Sequence, residues 1–238
     1  MMNNLENKVA YITGGSKGIG YGIAKALLDA GMRVAISSRT LQSAEDAARS
    51  LGSDPAKILS LQSDVSSMAS EEAAVKALID KFGQLDVVIA NAGVGYFNSI
   101  LDLTEEEWKR TIDTNLTGVF NTVKSSLAAL KQSKGYIITM ASLAGTNFFE
   151  NGSAYNASKF GLVGFTQAIM LDLRKEGIKV TTIMPGSVAT HFNDHTPSEA
   201  DAWKIQPEDI GEMVVGLLRM HPRTLPSKVE VRPAMPAK

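Results

Sequence analysis

Tyr155 and Lys159 stand four residues apart in the run Ser153-Ala154-Tyr155-Asn156-Ala157-Ser158-Lys159, and Ser142 precedes the tyrosine by thirteen positions. Residues i and i+4 of an α-helix share a face, so a phenol and an ammonium at this spacing project into one cleft. A positive charge beside a phenol favours the phenolate and lowers the tyrosine pKa from its ordinary value of about 10. A tyrosine tuned in this way passes a proton to or from an alcohol or carbonyl oxygen near neutral pH. Ser142 supplies a hydroxyl that can hold that oxygen. Surface helices carry many Tyr-x-x-x-Lys pairs, so the weight of the motif comes from what accompanies it.

The strongest companion is Thr13-Gly14-Gly15-Ser16-Lys17-Gly18-Ile19-Gly20, which follows an apolar run and opens an amphipathic one. Glycines let a backbone turn tightly and approach a pyrophosphate, which then meets the free N–H groups and positive dipole end of the helix. The spacing is Gly-x-x-x-Gly-x-Gly, which differs from the Gly-x-Gly-x-x-Gly of other dinucleotide folds. The second apolar run ends in Ile36-Ser37-Ser38-Arg39-Thr40. An acid at this place would bind ribose hydroxyls, whereas an arginine accommodates a 2′-phosphate. Ser38 and Arg39 occupy it here, and Lys17 in the glycine loop is expected to point at the same phosphate. This combination favours NADP(H) over NAD(H).

The elements that must position these groups alternate along the chain. Apolar strand-like runs are expected at 8–12, 33–37, 57–62, 85–90, 136–140, 179–184 and 229–231. Helix-like stretches are expected at 19–30, 43–51, 70–82, 104–130, 154–176 and 207–220. Most of the short runs are continuously apolar, as in strands covered on both faces of a parallel sheet. Thr104 and Glu107 read as a capping box, and Gly31 and Gly177 stand where helix C-caps belong. Repeated βα units imply right-handed crossovers. The expectation is an α/β chain, residues 1–238 forming a single Rossmann-like domain with a doubly wound parallel sheet of about seven strands flanked by helices. The N-terminal half would bind the dinucleotide and the C-terminal half would carry catalysis and substrate.

Together these motifs resemble the classical short-chain dehydrogenase/reductase family. The resemblance runs from the glycine loop through Asn91-Ala92-Gly93, Asn115, Ser142, Tyr155 and Lys159 to Pro185-Gly186. It implies that Gly14, Ser16, Lys17, Gly18, Ile19 and Gly20 hold the cofactor phosphates, and that Asp64 and Val65 contact the adenine. It implies that Asn91, Ala92 and Gly93 lie against the cofactor and brace the sheet centre. Pro185, Gly186, Val188 and Thr190 would hold the nicotinamide carboxamide. Asn115 would anchor a water linking Lys159 to solvent, although a polar residue in mid-helix also suits a kink. Tyr155 would be the general acid in reduction and Ser142 would position the carbonyl oxygen. Lys159 would tune Tyr155 and hold the nicotinamide ribose. The implied reaction is NADPH-dependent reduction of a ketone or aldehyde. The alternatives are a 3-oxoacyl thioester reductase and a non-catalytic NADP(H)-binding regulatory protein. A homodimer or homotetramer is implied as well.

Composition removes other classes. The chain has no cysteine, which excludes thiol catalysis, disulfides and Cys-based zinc sites, and no metal site is expected. Its 24 basic and 25 acidic residues give a formal charge of −1, so no global field draws nucleic acid or anionic lipid. The polar start and the lack of a long apolar run read as a cytoplasmic protein without a signal peptide or membrane span. The substrate side is expected from 95–97, 143–152 and the segment around Phe192. Phe148 and Phe149 fit a pocket wall and packing in a subunit interface or loop core equally well. His191 and His195 read as ordinary loop histidines. The stretch between Pro185-Gly186 and Pro207 is short for a lid, which would leave the site open and permissive. The end Val229-Glu230-Val231-Arg232-Pro233 lacks the Gly-Gly stretch of bacterial 3-oxoacyl-carrier-protein reductases.

Overall fold

The computed structural model describes residues 4–52 and 54–235. Seven parallel strands form one sheet in the order β3-β2-β1-β4-β5-β6-β7. They are β1 (Val9–Thr13), β2 (Arg33–Ser38), β3 (Ile58–Gln62), β4 (Val87–Ala90), β5 (Tyr136–Met140), β6 (Lys179–Pro185) and β7 (Lys228–Val231). Every residue of β1, β4 and β5 is buried, which accounts for their unbroken apolar character: both faces of these central strands are covered. The edge strand β7 instead alternates exposed and half-buried residues.

The covering helices are α1 (Gly18–Asp29), α2 (Leu41–Ser50), α3 (Met68–Phe82), α4 (Glu105–Ile112), α5 (Gly118–Ser133), α6 (Ser153–Leu173) and α7 (Pro207–Arg219). One core layer joins the sheet to α1, α2 and α7 through Ile23, Leu27, Ala44, Val214 and Leu218. The opposite layer joins it to α3, α5 and α6 through Val75, Leu78, Val123, Leu130 and Leu162. Thr104 and Glu107 form the expected capping box, each accepting the other's backbone N–H, at 3.2 and 2.9 Å. Gly31 and Gly177 lie at φ +86° and +81°, where a Cβ is penalised.

The chain moves outward from β1 through β2 to β3, then returns to place β4 on the other side of β1. That reversal opens a crevice at the carboxyl ends of β1 and β4, where ligands bind in doubly wound sheets. Two helix expectations need correction. The stretch 104–130 is α4, then a π-helical turn at Asp113–Thr117, then α5, which continues to Ser133. The stretch 154–176 is α6 followed by a 3-10 turn at Arg174–Glu176. Neither break contains a glycine or a proline, so no helix-breaking residue announces it in the sequence.

Candidate active site

Ser142 follows β5 in extended backbone and caps a short 3-10 turn, Leu143–Gly145, by accepting the Ala144 N–H at 3.1 Å. Its hydroxyl lies within 3.5 Å of the Pro185 carbonyl at the end of β6. Tyr155 and Lys159 occupy the first two turns of α6 and share a face, with Lys159 Nζ 5.6 Å from the phenol ring centroid. Lys159 is only 5 % exposed and donates to the Met140 carbonyl at 2.9 Å. The expected lowering of the Tyr155 pKa does not occur in this packing. Packing around the phenol pushes it up to about 12, opposed by the hydrogen bond with Ser142. Burial pulls Lys159 down to about 8. Desolvation of each group outweighs the attraction between them, because the ammonium is spent on a backbone carbonyl and faces the ring rather than being bonded to the hydroxyl.

Asn115 is fully buried in the π-helical turn. Its carboxamide accepts the Val94 N–H and donates to the Val94 carbonyl, both at 2.8 Å, and donates to Ser158 Oγ at 3.1 Å. The wider turn is a device common at functional positions. Here it lets the side chain clasp the segment after β4 from one side while α6 holds it from the other. Asn115 and Lys159 both lie beside Gly93, where an added Cβ would meet Oδ1 at 3.3 Å and Nζ at 3.8 Å.

The glycine loop leaves α1 without a side-chain cap and with no acid in its first turn. Its N–H groups are therefore open to an anion in the crevice. Gly14 has φ +63°, and a Cβ on Gly20 would sit 2.4 Å from the Gly14 carbonyl. Asn91 ties β4 to this loop, donating to Thr13 and Gly14 carbonyls at 2.9 and 3.1 Å. Thr13 Oγ1 in turn accepts the N–H groups of Asn91 and Ala92. Thr190 approaches from the far side, its Cβ 3.3 Å from where a Gly18 Cβ would be. These residues fit a dinucleotide pyrophosphate.

The adenosine end departs from expectation in one respect. Lys17 and Ser16 line a cavity of about 370 Å³ with Tyr21, Ser43, Asp46 and Ser50. Arg39 lines a separate cleft of about 300 Å³ with Asp64, Ser66, Arg110 and Asp113. The two cations thus line separate clefts rather than one, and the Ser38 hydroxyl lies 3.5 Å from that of Ser16. Lys17 has extended backbone at the mouth of α1, and Arg39 follows β2 with its carbonyl accepting from Gln62 Nε2 at 3.1 Å. Asp64 accepts from Ser66 N–H and O–H. Val65 is buried against Gly118, its carbonyl bonded by Asn121 at 2.8 Å.

On the substrate side, Phe97 stands edge-on to Tyr155 with centroids 5.3 Å apart, and Phe192 lies 5.7 Å from the same ring. Phe149 packs on Phe97 at 5.8 Å. Phe148, by contrast, is 86 % exposed. The open choice between pocket and interface thus divides: Phe149 belongs to the site and Phe148 does not pack within the chain. Gly186 and Val188 begin the segment that carries Phe192, and Val188 bridges to Ile205. Asp201 clips that segment by accepting from Ser198 N–H at 3.0 Å, His195 Nε2 at 2.7 Å and Lys204 Nζ at 2.6 Å. These bonds hold its carboxyl well below the usual carboxylate range. The motif reading missed Asp201, although Ser198-x-x-Asp201 is a capping-box spacing. It also missed Asn156, which donates to the Ala144 and Asn147 carbonyls and so ties the turn after Ser142 to α6. Among the described residues no cluster suits a metal ion, and no helix is long and apolar enough to cross a membrane.

The pattern of the short chain dehydrogenase family matches residues 8–201. The chain is 34% identical over 233 residues to an uncharacterized oxidoreductase, SERP2049, of Staphylococcus epidermidis, covering 98% of this chain and 100% of that one. It is 31% identical over 240 residues to glycine betaine reductase ATRR of Emericella nidulans, covering 96% of this chain but only 19% of that much longer protein. An alcohol dehydrogenase of Thermococcus sibiricus, solved with 5-hydroxy-NADP, superposes with TM-score 0.88 at 30% identity, over 96% of this chain and 97% of the other.

Proposed function

The chain belongs to the short chain dehydrogenase family, and from that premise we propose that this NAD(P)-dependent oxidoreductase is an NADPH-dependent carbonyl reductase with Tyr155 as its proton donor. The observation that carries the reading is the convergence of Ser142, Tyr155 and Lys159 at the carboxyl ends of β5 and β6, beside the uncapped start of α1. When bound, NADPH supplies the hydride for the carbonyl carbon. Tyr155 Oη gives its proton to the carbonyl oxygen. A phenol near pKa 12 is fully protonated at neutral pH, the state that reduction requires. Ser142 Oγ holds the same oxygen by a hydrogen bond that strengthens as negative charge develops on it. Lys159 places an ammonium under the phenol and stabilises the phenolate left behind. Asn115 acts through Val94 and Ser158 as a positioning residue.

The preference for NADP(H) rests on Arg39 and Ser38 at the end of β2, with Lys17 in the glycine loop. The cofactor bound by the Thermococcus sibiricus neighbour accords with it. A homodimer or homotetramer through α5 and α6 accords with the exposed Phe120 and Phe160 on these helices. Light scattering on the purified protein tests that state.

The decisive experiment compares wild type with Tyr155→Phe in NADPH oxidation over ketones, aldehydes and acetoacetyl-CoA, with NADPH binding followed by fluorescence. Loss of a proton donor costs about 10²- to 10⁴-fold in rate while binding is kept. Full activity in the variant would remove Tyr155 from this role.

A further inference from the structure

We infer that the substrate is an uncharged carbonyl compound bearing an aromatic ring next to the reacting C=O, and that the site rejects anionic carbonyl substrates, thioesters of coenzyme A or an acidic carrier protein among them. The inference rests on the carbonyl-reductase reading above and specifies what that site takes.

Two independent observations carry it. The first is shape and surface chemistry. The non-reacting surroundings of the Tyr155 ring are aromatic: Phe97 at 5.3 Å, Phe192 at 5.7 Å and, behind Phe97, Phe149 at 5.8 Å. Phe97 and Phe192 also meet each other, 6.2 Å apart and edge to face. These rings come from the three segments that follow β4, β5 and β6, so the wall is assembled across the site. Their pairings are edge-on or tilted, the geometry in which aromatic rings, a substrate's among them, gain beyond their buried area. Gly95 permits the assembly, since a Cβ there would fall 2.6 Å from the Phe192 ring and 2.9 Å from that of Phe97. The bonds to Asp201 and the Val188–Ile205 bridge fix the Phe192 segment at its far end.

The second observation is charge. Among the described side chains, the segments 94–104, 143–152 and 186–206 carry four carboxylates, Asp102, Glu150, Glu199 and Asp201, against one lysine, Lys204. That lysine pairs with Asp201 at 2.6 Å, so the two offset each other and Asp102, Glu150 and Glu199 are left with no cation from these segments. The histidines, His191 and His195, are both exposed, and His195 is bonded to Asp201. Arg110, the cation over Tyr96 at 5.9 Å, opens into the cleft shared with Arg39 and Asp64, on the adenosine side. An anionic substrate therefore meets an apolar wall carried on segments of net negative charge that offer it no free cation, so desolvation and like charge both oppose it. A neutral aryl carbonyl meets neither. Its C=O is reduced to the alcohol by a hydride from the dinucleotide and the proton from Tyr155 Oη, and the oxidised dinucleotide is the second product.

The test uses three matched probes with the intact protein and NADPH: methyl benzoylformate, which is neutral and aryl; benzoylformate, its anion; and methyl pyruvate, neutral without the ring. Acetoacetyl-CoA is the fourth. The kcat/KM for the aryl ester should exceed that of each other probe by about tenfold or more, the size of one good aromatic contact or one avoided like-charge contact. In Phe149→Leu and Phe192→Leu the preference of aryl over methyl ester should fall several-fold, while the preference of ester over acid persists. Equal use of acid and ester, or better use of acetoacetyl-CoA, would overturn the inference and leave carbonyl reduction standing. Absence of turnover with all four would overturn the carbonyl-reductase reading. Ligand-observed NMR on the protein without cofactor then decides the substrate class: binding of the aryl ester in preference to its acid upholds it, and equal binding or none overturns it.

Discussion

Replacing Lys159 with methionine isolates what it costs the fold to bury an ammonium at this site. Lys159 is 5 % exposed and its pKa falls from 10.5 to about 8. One pKa unit is worth about 1.4 kcal/mol, so below pH 8 the charged side chain costs the folded state about 3 kcal/mol. In the window between about 8 and 10.5 the unfolded chain binds a proton here that the folded chain has released. Stability therefore rises with pH across that window, by up to about 1.4 kcal/mol per unit. Tyr155 acts in the opposite sense and higher up: its folded pKa is about 12, so its contribution declines only above the ordinary tyrosine value of about 10. Lys159→Met also orphans the Met140 carbonyl, at a cost of about 1–3 kcal/mol. The two terms nearly cancel at pH 7, so the midpoint at one pH decides little. The assay is urea unfolding of both proteins from pH 7 to 10. The stability of wild type relative to the variant should stay flat to pH 8 and then climb by about 2–3 kcal/mol towards pH 10. Parallel profiles would refute the buried-ammonium argument.

Arg39→Asp should weaken NADPH binding by about tenfold or more and raise relative NADH use, since a carboxylate at this strand end suits ribose hydroxyls and repels a 2′-phosphate; unchanged cofactor preference would sink the assignment. Gly20→Ala places a Cβ 2.4 Å from the Gly14 carbonyl and 2.6 Å from Asn91 Nδ2. It should abolish tight dinucleotide binding measured by calorimetry, whereas wild-type affinity would show that the loop yields freely. Asp201→Asn removes a carboxylate held by three donors. Its stabilisation is present above the unfolded pKa of about 3.9 and is lost as pH falls towards the lower folded value. Denaturation at pH 7 should therefore show a loss of stability that shrinks on acidification, and an equal loss at pH 3 would contradict the linkage.

The sequence by itself determined the layered α/β architecture and the strand count. Continuously apolar runs such as Val87–Ala90 must be covered on both faces, and only a parallel sheet between two helical layers does that. It also determined the chemistry available at Tyr155, Lys159 and the glycine loop, because i,i+4 spacing and glycine backbone freedom are local properties. Tertiary structure decided what those local properties could not. The π-helical turn at Asn115 exists because its carboxamide reaches Val94 and Ser158, partners 21 and 43 residues away. The pKa values of Tyr155 and Lys159 run against the pairwise expectation because desolvation depends on everything packed around them. Lys17 and Arg39 look adjacent by motif, yet they line different clefts. The ring of Phe97, Phe149 and Phe192 joins three segments separated by dozens of residues. Its members carry no sequence signal beyond being phenylalanines, because what makes them a wall is the meeting of three strand ends around one tyrosine.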